Sequence, residues 1–191
     1  SNDGVLLKPL KDLGMRAVGV EPAVNLAKMA NEQGLHTLNE FFGRNTVSTI
    51  ISRHGHADVI TASNVFAHLD NVHDFIDNVK LLLKADGFFL VEIQYIADTI
   101  RDMTYDNIYH EHVFYYSLYS LTRLFASHGM KIFNAEHIDT HGGSLRVYVC
   151  RDDRTPDQSI EQFTSYEKGM QLQRVQTYET FAGELMKRIG E

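Results

Sequence analysis

An α/β fold, a mostly parallel sheet with helices on both faces closed by an antiparallel hairpin, is the fold class this sequence predicts. Three observations predict it. Short apolar runs rich in Val and Ile alternate with stretches of helical period, the pattern of strand–helix–strand units. Two strand-like runs near the C-terminus, Met130 to Ile138 and Ser144 to Arg151, are joined through His141-Gly142-Gly143, which reads as an antiparallel pair. Polar and acidic residues fall just after the apolar runs, where open α/β sheets place their ligands.

The elements follow in order. Ser1-Asn2-Asp3-Gly4 is a turn before a short amphipathic helix over Val5 to Leu10. Such a turn normally follows a strand, and the chain opens without Met and stops within a helical pattern. A fragment whose first strand lies outside the sequence is therefore expected. Arg16 to Val20 is a short buried strand ending at Glu21, and Pro22 suits the first position of a helix that runs to about Gln33 and is closed by Gly34. Leu35 to Phe42 carries a brief strand, Thr46 to Arg53 a helix, and Ala57 to Ser63 the next strand. Asp70 caps a helix whose apolar positions Val72, Phe75, Ile76, Val79, Leu82 and Leu83 keep the 3.6 period. Asp86-Gly87 turns the chain into the strand Phe88 to Ile93, and a helix spans Ser117 to Ser127, stopped by Gly129. From Ser159 a single helix is expected to leave the domain, so residues 1–155 form one domain and 156–191 lead toward another.

Composition narrows the function. A chain of 191 residues with 43% apolar content can bury a full-sized core. A formal charge of -7 without a Lys/Arg run argues against a nucleic-acid or anionic-membrane surface, and no stretch approaches the length that spans a bilayer. The single cysteine, Cys150, lies in an apolar run and reads as a small buried hydrophobe in a reducing, cytoplasmic compartment. Nothing in the sequence specifies an oligomeric state.

Tyr105-Asp106-Asn107-Ile108-Tyr109-His110-Glu111-His112 packs two tyrosines, two imidazoles and a carboxylate into eight residues. Imidazole titrates near neutrality and a neighbouring carboxylate tunes it, so this composition suits acid–base chemistry. In an extended segment His110 and His112 point to opposite faces and only one faces a pocket. His54, His56, His73, His128 and His137 are expected to be solvated, and His141 reaches substrate or shapes its turn. Glu21, about 20 residues after a Gly-bearing turn, stands where a carboxylate binds ribose hydroxyls, or equally caps the helix after it. The dinucleotide glycine fingerprint is absent, and Asp3 occupies the place where a pyrophosphate would lie. That carboxylate repels a diphosphate and suits a sulfonium or amino group, favouring S-adenosylmethionine over NAD.

Ser-Asn-Asp-Gly at 1–4, Gly-Val-Glu-Pro at 19–22, Ala-Ser-Asn-Val-Phe-Ala-His at 62–68, Tyr-His-Glu-His at 109–112 and His-Gly-Gly-Ser-Leu-Arg-Val-Tyr at 141–148 carry a family resemblance. In these motifs the sequence resembles the class I S-adenosylmethionine-dependent C-methyltransferases, Rossmann-like enzymes that act on nucleotide-linked deoxysugars. The resemblance implies a nucleotide-sugar substrate and a methyl transfer to a carbon next to a ketone through an enolate. It implies catalytic roles for His112, the expected base, and for Glu111, Tyr109 and His68. Ser1, Asn2, Asp3, Gly4, Glu21, Pro22, Ser63, Asn64 and Phe66 are then the cofactor-binding candidates. It also implies an N-terminal zinc-binding region and a further C-terminal domain outside this sequence; Cys150 alone cannot make a zinc site. Three other readings stand beside it. A metal-dependent hydrolase would use His110, His112, Glu111 and His68; a non-catalytic nucleotide-binding module would keep the fold without the chemistry; an oxidoreductase lacks its glycine fingerprint.

Overall fold

In a computed structural model that describes residues 1–190, the chain divides into two compact units, Ser1–His56 and Ala57 onward. The first unit runs α1 (Leu7–Asp12), β1 (Gly19–Val20), α2 (Val24–Glu32), β2 (Thr37–Leu38) and α3 (Arg44–His54), with β1 and β2 paired in parallel. Leu7, Ala30 and Leu35 form its buried cluster, with Ala17 packed against them. Gly4 sits at φ +93°, and a Cβ there would collide with Leu35 Cδ1. The opening turn thus needs glycine both for its left-handed backbone and for the close approach of Leu35. Pro22 departs from expectation. It is exposed two residues before α2, and the extended Ala23 occupies the cap position, its N–H donating to Glu21 Oε1 at 3.0 Å.

The second unit runs β3 (Ala57–Ser63), α4 (Val72–Leu82), β4 (Leu83–Gln94), α5 (Ile96–Asp102), α6 (Leu118–Ser127), β5 (Lys131–Ile138), β6 (Ser144–Cys150), α7 (Gln158–Gly169) and α8 (Val175–Ile189). Its sheet has the order β3-β4-β6-β5. β3 and β4 are parallel, whereas β6 is antiparallel to both β4 and β5. The expected hairpin is therefore present, and its second strand lies inside the sheet.

Alternation along β4 and β6 buries Phe89, Val91, Ile93, Leu145, Val147 and Val149 on one face. An aromatic cluster forms the core of the unit: Phe66 lies within 6.0 Å, centroid to centroid, of Phe75, Phe89, Tyr116 and Phe125. Fully burying each such phenylalanine is worth about 1.5–3 kcal/mol, so the loop after β3 is held down by its own side chain. Cys150 is buried and free, as its apolar surroundings suggest.

Three local expectations are corrected. Asn71, not Asp70, caps α4, accepting the Asp74 N–H at 3.1 Å. Asp86-Gly87 forms a bulge within β4, where the pairing jumps from Ala57↔Leu83 to Val59↔Phe88, and does not open a separate strand. The last helix is two helices, interrupted around Gln171, whose φ is +56°. The first of them, α7, stays on the unit: Glu167 is 1% exposed and bonds to Tyr95 and to the start of α6. Among the described residues no helix is long and apolar enough to cross a membrane.

Candidate active site

The Tyr/His segment is not extended. Tyr105–Asn107 is a single 3-10 turn, and a second turn is closed by the His112 N–H donating to the Tyr109 carbonyl at 3.0 Å. Turn spacing of three residues, rather than strand alternation, therefore decides what faces what. It brings His112 beneath Tyr109, ring centroids 4.1 Å apart, with Tyr109 Oη 2.7 Å from His112 Nε2. Tyr115, which the sequence did not single out, supports this dyad: its hydroxyl accepts the Tyr109 N–H at 3.2 Å, and its ring edge packs on His112 at 5.8 Å.

His68 comes to the same place from the loop after β3. Its Nδ1 lies 2.9 Å from the Glu111 carbonyl oxygen, which only accepts, so Nδ1 carries the proton and donates. The His68 and His112 rings meet edge to face at 4.8 Å, and the Val113 N–H donates to the Ala67 carbonyl at 2.8 Å. Tyr109, Glu111, His112 and His68, the last 43 residues before Glu111 in sequence, thus form one cluster. Glu111 itself is exposed and contributes its field: burial and the nearby His68 hold His112 below the usual imidazole value, and the Glu111 charge opposes them. His112 Nδ1 is buried without a partner. His110 is exposed on the turn.

The remaining candidates fall in separate parts of the chain. Ser63 ends β3 and Asn64 follows it, both exposed; Asn64 adopts φ +54°, its N–H donating to the Glu92 carbonyl at 2.9 Å. Phe66 is 0% exposed at the centre of the aromatic core, so its side chain positions the loop and offers no surface to a ligand. In the first unit the Glu21 carboxylate folds onto its own backbone. Oε2 accepts from the Asn2 N–H at 2.7 Å and the Ser1 nitrogen at 3.1 Å, and Oε1 accepts from Ala23. Burial would push this carboxyl up, and those hydrogen bonds overcome it, holding Glu21 below the usual carboxylate range. A carboxylate has about four acceptor sites. Three are used here, which leaves one. Asp3 is part-exposed on the turn, where its N–H donates to Asn2 Oδ1 at 2.9 Å.

Several histidines expected in solvent are engaged. His128 Nδ1 lies 2.7 Å from Asp77 and its Nε2 2.8 Å from His73 Nδ1; His137 Nε2 donates to the buried Asp98 at 2.7 Å; His54 packs on His36 at 5.1 Å. Only long-range contacts make these pairs, and nothing local in the sequence signals them. Among the described residues no three His, Cys, Asp or Glu side chains come together as metal ligands. In the Tyr/His cluster one ring nitrogen each of His68 and His112 is turned to a carbonyl and a phenol, an arrangement that does not favour the hydrolase reading.

Comparison with known proteins agrees with this architecture. The chain is 39% identical to the C-methyltransferase NovU of Streptomyces niveus over 150 residues, 78% of this chain and 36% of that protein. It thus spans about a third of that relative's length. Among solved structures it resembles a chain of the complex between the Haloferax volcanii Trm112 methyltransferase activator and a methyltransferase. The TM-score is 0.60 at 15% identity, covering 79% of this chain and 80% of that one. A SAM-dependent methyltransferase of Anabaena variabilis gives a TM-score of 0.61 at 11% identity, with 79% and 74% covered. At these identities the likeness establishes the fold, that of the class I methyltransferases. Residues 139–189 match the C-methyltransferase C-terminal domain, residues 1–134 match the methyltransferase domain, and the chain belongs to that methyltransferase family.

Proposed function

We propose that the protein is an S-adenosylmethionine-dependent C-methyltransferase that methylates a carbon next to the ketone of a nucleotide-linked keto-deoxysugar. The observation that carries the proposal is the Tyr109–His112 dyad, 2.7 Å from phenol oxygen to imidazole nitrogen, with His68 set against it. The family match supports methyl transfer to carbon. Bound S-adenosylmethionine supplies a methyl group on a positively charged sulfur.

Carbon becomes a nucleophile when the C–H bond beside the ketone breaks and its electron pair forms an enolate. This needs a base and a donor for the enolate oxygen. His112 is the proton acceptor in our reading, reached through Tyr109. The Tyr109 side chain is the accessible member of the pair, while His112 is half-buried with Nδ1 sealed. The substrate proton goes to Tyr109 Oη as the phenol proton passes to His112 Nε2. A neutral His112, which burial favours, is the form able to receive it. His68, whose Nδ1–H is committed to the Glu111 carbonyl, orients the loop, and Glu111 offsets the positive charge that develops. In the first unit Glu21 has one acceptor site left for a ribose hydroxyl, and Asp3 is the carboxylate suited to the cofactor's cationic end. Ser1, Asn2, Gly4 and Pro22 shape that turn and strand end, and Ser63 and Asn64 are cofactor candidates in the second unit. Residues 1–155 carry the chemistry and the helices from 156 brace it.

The test follows exchange of the substrate α-proton with deuterated water. His112→Asn is expected to slow both exchange and methyl transfer by roughly 10²–10⁴, the usual contribution of a positioned base, with S-adenosylmethionine affinity unchanged. Exchange at the wild-type rate would remove His112 from the role.

A further inference from the structure

The second unit contains a buried carboxylate, bonded to a histidine, that the proposed chemistry does not use. Asp98, on α5, is 0% exposed, and its Oδ2 accepts from His137 Nε2, on β5, at 2.7 Å. Arg101 Nη1 lies 2.7 Å from Asp98 Oδ1, an ion-pairing distance without hydrogen-bond alignment. Arg101 also reaches the Tyr166 hydroxyl on α7 at 3.3 Å, and His137 Nδ1 stands 3.2 Å from the exposed Asp139. Burying a carboxylate is costly unless it is paired, so such a group persists where it holds something in place.

What it holds is the turn between β5 and β6. His141, Gly142 and Gly143 take three successive positive φ values, 52°, 76° and 106°. At Gly143 a Cβ would come within 2.6 Å of Asp98 Cγ, and at Gly142 one would come within 2.9 Å of Asn107 Nδ2. The Tyr95 N–H donates to the Gly143 carbonyl at 3.1 Å. The two glycines therefore let this turn press on α5 with one side and on the Tyr105–Asn107 turn with the other. That second turn leads, two residues later, to Tyr109.

We propose that Asp98 and His137 are positioning residues: the bond between them seats the 139–143 turn against Asn107 and thereby fixes where the Tyr109–His112 dyad stands. The catalytic consequence rests on the function proposed above; the seating itself does not. A pair of this kind acts on geometry. Displacing reacting groups by about 1 Å costs on the order of 10² in rate.

Amide hydrogen exchange of the protein reads the seating directly. In His137→Leu and in the near-isosteric Asp98→Asn, amides of residues 105–112 are expected to exchange about tenfold faster or more, while those of β4 and α4 keep wild-type protection. His137→Gln, which keeps a donor for Asp98, restores most of the protection. Unchanged exchange over 105–112 in both variants overturns the proposal, as does a uniform rise across the whole unit, which marks a general stability role. In turnover assays kcat is expected to fall by about 10² in the loosened variants with the KM for S-adenosylmethionine unchanged. A loosened segment with wild-type kcat also overturns it. Should the wild-type protein fail to methylate any nucleotide-linked keto-sugar, the functional reading fails, and the exchange measurement still decides whether the pair seats the turn.

Discussion

Replacing Glu167 by leucine removes the acceptor for three buried donors at once. Glu167 Oε1 accepts from the Tyr95 hydroxyl at 2.9 Å and the Leu118 N–H at 2.5 Å, and Oε2 accepts from the Tyr119 N–H at 3.0 Å. The two amides belong to the first turn of α6, which has no intrahelical acceptor for them. Burial, and then the Glu167 charge, push the Tyr95 phenol well above its ordinary value, so Tyr95 remains a donor at every accessible pH. Each stranded donor costs about 1–3 kcal/mol. Because the three share one acceptor and relax together, the expected loss is about 3–6 kcal/mol, a large part of the roughly 5–15 kcal/mol by which domains are stable. Glu167→Gln keeps one acceptor oxygen but turns an NH₂ toward a donor, and should cost about 1–2 kcal/mol. Urea melts of wild type, Glu167→Leu, Tyr95→Phe and the double variant form the assay. Tyr95→Phe removes one of the stranded donors, so the double variant should be more stable than the sum of the single effects by about 1 kcal/mol. A Glu167→Leu protein within about 1 kcal/mol of wild type, a third of the smallest loss expected, would refute the account of how α7 is fastened to Tyr95 and α6.

Two further outcomes are expected. Since burial and His68 lower the pKa of His112, the acid limb of the kcat profile should fall below pH 6.5, the ordinary imidazole value, and His68→Gln should move it upward. The same shift has a sign for stability: above pH 6.5 it contributes nothing unfavourable, and as pH falls through the unfolded value the unfolded chain binds the proton first, so stability is lost toward the folded value. An acid limb that stays put in His68→Gln would remove His68 as a cause. Glu21→Ala should weaken S-adenosylmethionine binding by about 1.5–3 kcal/mol, as expected for hydrogen bonds to a charged group, measured by calorimetry beside a thermal melt because the same change frees the Asn2 and Ala23 amides; unchanged affinity would show that Glu21 serves only its own turn.

Local pattern determined many of the elements of this protein, though not α5 or the break between α7 and α8. The apolar run Ala57 to Ser63, the 3.6-residue period from Val72 to Leu82 and the glycine turn between β5 and β6 each express a preference that acts over a few residues, and each stands in the structure where the sequence put it. That Tyr109, Glu111 and His112 stand together was legible as well, since they are neighbours in sequence, and the family resemblance implied that His68 joins them. Tertiary structure decided the rest. That His112 lies under Tyr109 follows from a turn closed by the His112 N–H on the Tyr109 carbonyl and flanked by bonds to the Tyr115 hydroxyl and the Ala67 carbonyl, not from alternation. Phe66 reads as a loop residue and becomes the centre of the core because four aromatic rings from distant segments close around it. The carboxylates of Asp98 and Glu167 look like solvated charges on helices until β5 and α6 deliver a histidine and two amide donors to them. A charge is buried only where the folded chain supplies its partners, and the hydrogen-bond donors to these two stand 39 and 48 or more residues away. No window along the sequence contains both ends of such a bond.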